Sequence, residues 1–191
     1  MLNRIAGCVV IAIACGSALS AQTVQTVDHP MTAGERVRWL AHQNLGPMEL
    51  AEDVAAGAEG TLSNTPKEYG PHWDGFAKRV GIVAANYGVK TVMEAGLSSV
   101  WGEDPRYQRT EGTALSGRLG HVFKMTFFAR NSAGNEVPAY ARLMAIPGSN
   151  FLANTWMADS QANVSDALVR TGLGFLSRMS ENAYKEFRSR K

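Results

Sequence analysis

The sequence predicts an all-α fold, a single irregular bundle of five or six helices behind an N-terminal signal peptide. Three observations predict it. Past residue 32, apolar residues recur at three- and four-residue spacing in segment after segment. Cap residues, glycines and prolines punctuate those segments where helices start and stop. No segment alternates apolar and polar residues as a half-buried strand does.

Met1-Leu2-Asn3-Arg4 forms a basic n-region, Ile5 to Ala14 an apolar h-region, and Gly16 to Ala21 supplies small residues for cleavage after Ser20 or Ala21. The apolar run is too short for a stable bilayer anchor. An alternative is a lipoprotein anchored at Cys15, since Ala12-Ile13-Ala14-Cys15 resembles a lipobox with Ala in place of Leu at −3. Both cysteines, Cys8 and Cys15, lie in this segment, so the mature domain would hold no thiol, no disulfide and no Cys-based metal site. The organisation is then a signal peptide at 1–21, a polar linker at 22–31 and a helical domain at 32–191.

The apolar fraction of 45% and charged fraction of 19% place that domain among globular chains. The chain has 19 basic residues, 18 once Arg4 is removed, against 17 acidic ones. This balance gives no drive toward nucleic acid. Lys185, Arg188, Arg190 and Lys191 make a basic C-terminal end.

Thr32-Ala33-Gly34-Glu35 reads as a capping box opening a helix to about Asn44. Gly46-Pro47 stops it and starts a second helix to about Gly60, Pro being suited to the first helical position. The longest helix is expected from His72 to Trp101. Ala77, Gly81, Ala84, Gly88, Thr91, Ala95 and Ser99 place small side chains down one of its faces, where another helix is expected to approach closely. Gly102 fits a C-cap, and Pro105 forbids continuation. A further helix is expected from Gly117 to Arg130, with Leu119, Val122, Phe123 and Phe127 on its buried face. Asn131 to Asn135 is a turn cluster that caps a helix or tips a hairpin. Pro138 to Met157 reads as helix broken near Pro147-Gly148. The last helix, 164–187, is capped by Asn163 or Ser165, with Leu168, Phe175, Met179 and Phe187 expected inward.

Chemistry-bearing patterns are sparse. His29, His42, His72 and His121 have no metal-ligand partner at i+3 or i+4, so no metal site is predicted. No nucleophile elbow, acyl-enzyme Ser-x-x-Lys or phosphate loop occurs, and Gly172-x-Gly174 lies in a helical pattern, so no cofactor is predicted either. Glu103, Asp104 and His121 are the candidate catalytic groups, the first two as adjacent carboxylates and the third as a base. Arg106, Arg118, Trp101 and Tyr107 are the candidate binding residues. A structural role competes with each: Asp104 caps a turn, Arg106 bridges to a carboxylate or carbonyl, and the aromatics close the core.

The Gly/Ala-rich helix, Gly102-Glu103-Asp104-Pro105-Arg106-Tyr107, Gly117-Arg118-Leu119-Gly120-His121 and Ala153-Asn154-Thr155-Trp156 together resemble a family of uncharacterised secreted bacterial proteins. The resemblance spans about residues 70–187, and Met157-Ala158-Asp159 departs from it. It implies secretion and the extent of the domain, and no activity. The expected function is an exported periplasmic or cell-envelope protein, non-catalytic, acting on an envelope protein partner or a membrane surface. The alternative is a hydrolase of an envelope polymer or lipid using Glu103, Asp104 or His121.

Overall fold

A computed structural model describes residues 31–111 and 114–188. The signal peptide, Cys8, Cys15, His29 and nearly all of the linker lie outside the described residues. Among the described residues six α-helices carry the fold: α1 (Ala33–Leu45), α2 (Pro47–Leu62), α3 (Trp73–Trp101), α4 (Leu115–Phe127), α5 (Tyr140–Leu152) and α6 (Val164–Phe187). The capping box at Thr32 and Glu35 forms, and Gly46 closes α1 and opens α2 ahead of Pro47. Gly102 ends α3 at φ 66°, a left-handed conformation that glycine adopts without a Cβ penalty. Asn163 caps α6 by accepting from the Asp166 amide.

A small antiparallel sheet joins the helices. β1 (Glu103–Asp104), β2 (Phe128–Asn131) and β3 (Glu136–Pro138) lie in that order, with Glu103 opposite Asn131 and Ala129 opposite Val137. Strands of two to four residues are too short to show a period. The Asn131–Asn135 cluster tips this hairpin: the Asn131 side-chain oxygen accepts the amides of Ala133 and Asn135. The helix expected to reach Arg130 therefore stops at Phe127. The break expected at Pro147 does not occur; α5 continues from Tyr140 to Leu152. Pro147 removes one rung of the ladder, and the flanking rungs hold the helix.

α3 is the centre. α1, α2 and α5 pack on it, while α6 packs on α5 and α4. The small-residue stripe is not its organising face. Thr91 and Ala95 are buried, but Ala77, Gly81, Ala84 and Ser99 are exposed, and a Cβ on Gly81 would meet nothing within 4 Å. The close approaches fall elsewhere. A Cβ on Gly57 of α2 would come within 2.3 Å of Val80 Cγ2. One on Gly75 would sit 2.3 and 2.4 Å from the Tyr69 and Gly70 carbonyl oxygens.

Arg79 explains why the chain comes so near at Gly75. Its guanidinium donates to the carbonyls of Thr65 (2.9 Å), Pro66 (2.8 Å) and Gly70 (2.7 Å), pinning the α2–α3 connection against the first turns of α3. Gly75→Ala must push that backbone away, and we expect a loss of about 1–3 kcal/mol. Thermal unfolding of the variant checks this; an unchanged midpoint would contradict it.

The apolar faces turn inward only in part: Phe127 of α4 and Phe175 of α6 are half-buried and stack with centroids 5.6 Å apart, and Met179 is half-buried too, but other members of these faces point out. Leu119 and Phe123 of α4 are 50% and 59% exposed, and Leu168 of α6 is 57% exposed. The buried positions of α6 are Ala167, Arg178, Asn182 and Glu186. Val122 does turn inward as expected. The inward face of α4 is carried by Val122, Met125 and Thr126, whereas the C-terminal half of α6 turns Arg178, Asn182 and Glu186 inward, where they meet partners from other elements.

Candidate functional site

The largest of these polar clusters draws side chains from four helices and main-chain carbonyls from a fifth. Glu94 of α3 is 2% exposed. Its Oε1 accepts from Arg142 Nε of α5 at 3.0 Å and from Arg178 Nη2 of α6. Arg142 also donates to the carbonyls of Met125 (2.7 Å) and Thr126 (3.1 Å), which close α4, and lies 3.4 Å from the Pro105 carbonyl. Arg178 reaches Glu181 at 3.2 Å, one turn on, and Glu181 is held again by Lys185. Gln43 of α1 donates to Glu181 at 3.3 Å. Lys90 lies 3.7 Å above the Tyr87 ring.

Burial opposes every charge here, and the partners decide the outcome. For Glu94, burial pushes the carboxyl up, but Arg178, Arg142 and Lys90 together hold it below the ordinary range. Glu181 is likewise held down, burial being outweighed by Lys185 and Arg178. Lys90 goes the other way: burial and Arg178 lower its ammonium to about 8.

The second cluster forms where α6 ends. Glu186 is 1% exposed. Its carboxylate accepts from the Tyr107 hydroxyl (2.9 Å), Arg118 Nε (2.9 Å) and the Thr110 amide (3.3 Å). Arg109 and Arg118 also donate to its main-chain carbonyl. His121 donates to the Gln108 carbonyl at 2.7 Å, and its ring meets Tyr107 edge-on. Three of the sequence candidates, Tyr107, Arg118 and His121, thus come together, around a carboxylate the motifs did not flag.

Glu103, Asp104, Arg106 and Trp101 gather separately, at β1. Glu103 accepts the amides of Tyr140 (3.0 Å) and Ala141 (3.1 Å), so its carboxylate caps the N-terminus of α5. Burial pushes that carboxyl up, and the two amides pull it back. Asp104 accepts from the Arg106 amide and side chain at 2.9 Å, and Arg106 also faces Glu35 at 3.6 Å. Trp101 leans on Tyr140 with ring centroids 6.1 Å apart. Each candidate carboxylate is therefore bonded to amides or a guanidinium, and His121 is oriented by a carbonyl rather than a carboxylate. This arrangement fastens loops and helix ends; it offers no poised base beside a nucleophile.

Among the described residues, no group of three His, Cys, Asp or Glu side chains is placed to hold a metal ion. Sequence reasoning passed over Glu94, Arg142, Arg178, Glu181 and Glu186. One signal was available: Arg178, Glu181, Asn182, Lys185 and Glu186 share a helical face by their spacing. No family model, curated protein or solved structure matches the chain.

Proposed function

We propose that this chain is an exported, non-catalytic cell-envelope protein that associates with a membrane surface through the outer faces of its helices. The observation that carries the reading is that large apolar side chains lie outside while charged and polar ones share the interior with a small apolar core. Glu94, Glu186, Asn182 and Thr126 are among the largest fully buried side chains, whereas Leu168, Leu119, Phe123 and Val100 are exposed. Apolar surface exposed on this scale is normally covered by something. The ion clusters occupy interior positions of α3, α5 and α6 that apolar side chains would otherwise fill. Export rests on the N-terminal sequence. No helix among the described residues is long and apolar enough to cross a membrane, which suits attachment from one side.

Flotation tests this. The protein recovered in exported form is expected to rise through a density gradient with phospholipid vesicles and to stay at the bottom without them. Failure to float at any lipid composition would remove the reading.

A further inference from the structure

The geometry points to one particular face as the membrane-docking surface: the outer side of α6 with its neighbours α4 and α5, seated on a bilayer containing anionic phospholipid. This rests on the membrane-surface reading and adds which side faces the lipid.

The case begins with α6. It has six charged residues, Asp166, Arg170, Arg178, Glu181, Lys185 and Glu186, all buried or half-buried, with Lys185 still 33% open. Each has a partner on the inner side or at the helix start. Every exposed position of α6 is uncharged, and Leu168, Leu173, Leu176 and Phe187 are among them. The helix has 24 residues, so the uncharged strip is about 36 Å long. A helix lying in the plane of a membrane buries such a strip to a depth of about 5–10 Å.

Both helices that pack on α6 also expose apolar side chains. The exposed residues of α5 are Tyr140, Met144, Phe151 and Leu152, all uncharged. α4 adds Leu119 and Phe123; its one exposed charge, Lys124, is matched by Glu136 at 2.5 Å.

The remaining helices differ in charge. α1 exposes Arg38, and α2 carries Glu49, Glu52, Asp53 and Glu59 with no basic residue. The sequence that closes α6 is net basic, Lys185, Arg188, Arg190 and Lys191 against Glu181 and Glu186; Lys185 is paired with Glu181, and Arg190 and Lys191 lie outside the described residues. Aromatic Tyr184 and Phe187 are interleaved with Lys185 and Arg188, a composition favoured at the lipid–water boundary. An anionic surface attracts that end and repels acidic α2. A second copy of the chain would cover the same apolar strip but would give no reason for this charge asymmetry.

The test places a fluorophore that responds to apolar surroundings at single cysteines. It uses the full chain with Cys8→Ser and Cys15→Ser, so that only the introduced thiol is labelled. Leu173→Cys on α6 and Leu119→Cys on α4 report on the proposed face; Leu45→Cys on α1 and Leu50→Cys on α2 report on the other. Vesicles of phosphatidylcholine and phosphatidylglycerol, carrying quenchers on their acyl chains, are the probe. Labels at 173 and 119 are expected to shift to the blue and be quenched, while those at 45 and 50 stay exposed to water. Position resolution separates this contact from any made by the apolar residues 5–14. Leu173→Lys combined with Leu176→Lys changes exposed positions only. It is expected to leave the unfolding midpoint in place and lower vesicle partitioning at least about tenfold.

Vesicle-bound protein with labels 45 and 50 quenched, or with none quenched, overturns the choice of face and leaves surface association standing. Absence of vesicle binding overturns both. Protection of labels 173 and 119 in lipid-free protein that sediments as a dimer assigns the face to a second copy and also overturns it.

Discussion

Replacing Glu94 with alanine is expected to lower the stability of the bundle by about 3–5 kcal/mol, the largest single-residue effect we anticipate. Among the described residues Glu94 is the one carboxylate that contacts both Arg142 and Arg178. Without it, two buried guanidiniums face each other with no counter-charge between them. Arg178 keeps Glu181. Arg142 keeps only carbonyls, from Met125, Thr126 and Pro105. Those carbonyls also mean that Arg142 cannot simply be replaced by an apolar residue, because its removal strands acceptors in the interior. A cycle with Arg178→Met separates the effects. If the pair acts as a unit, Glu94→Ala with Arg178→Met costs less than the sum of the single changes, since one unpaired charge is removed with its partner. Urea unfolding at neutral pH measures all three variants. A loss below about 1 kcal/mol for Glu94→Ala would place the pair in the class of exposed ion pairs and contradict its burial.

The same cluster explains what was legible in the sequence. Helix ends were written locally: Thr32 and Glu35, Gly46-Pro47, Gly102 and Asn163 each act within four residues of where they stand. The existence of two unlike faces on α6 was also local. Which face turns inward was not. The usual inference, apolar inward, assumes that charged groups lack partners away from water. Here Glu94 lies 84 residues from Arg178, and Arg142 lies 48 residues from Glu94, so no window of sequence contains the pairing. Leu168 and Phe187 were expected to be core for that reason. The candidate residues follow the same logic. Asp104 and Arg106 are neighbours, and their mutual contact was readable as a turn. Tyr107 and Arg118 were singled out, but Glu186, which gives both of them their role, is 79 and 68 residues away.

Acid should unfold this protein in a characteristic way, and the sign follows from which carboxylates are held low. Glu94, Glu181 and Glu186 all sit below the ordinary range in the folded chain: burial raises each, and Arg178, Lys185 and Arg118 respectively lead the forces that outweigh it. A carboxylate depressed on folding contributes stability that is complete above its unfolded pKa, about 4.3. That contribution is lost as pH falls through the folded value. Glu52, Asp53 and Glu103 have the opposite sign. Burial comes first in raising each of them, so the folded state takes up their protons more readily than the unfolded state does. As pH falls through their raised values, folding gains slightly. Stability is therefore expected to hold or rise a little as pH drops from 7 toward 5. Below about pH 4 it should fall steeply, by on the order of 3 kcal/mol or more. Glu186→Gln tests the assignment. It should lower stability at neutral pH, where the Arg118 guanidinium loses its charged partner, and flatten the acid limb, because one of the groups responsible for it no longer titrates. Unfolding midpoints in urea across the acid range measure both. An acid limb equally steep in wild type and variant would show that Glu186 is not among the carboxylates whose protonation releases the helices.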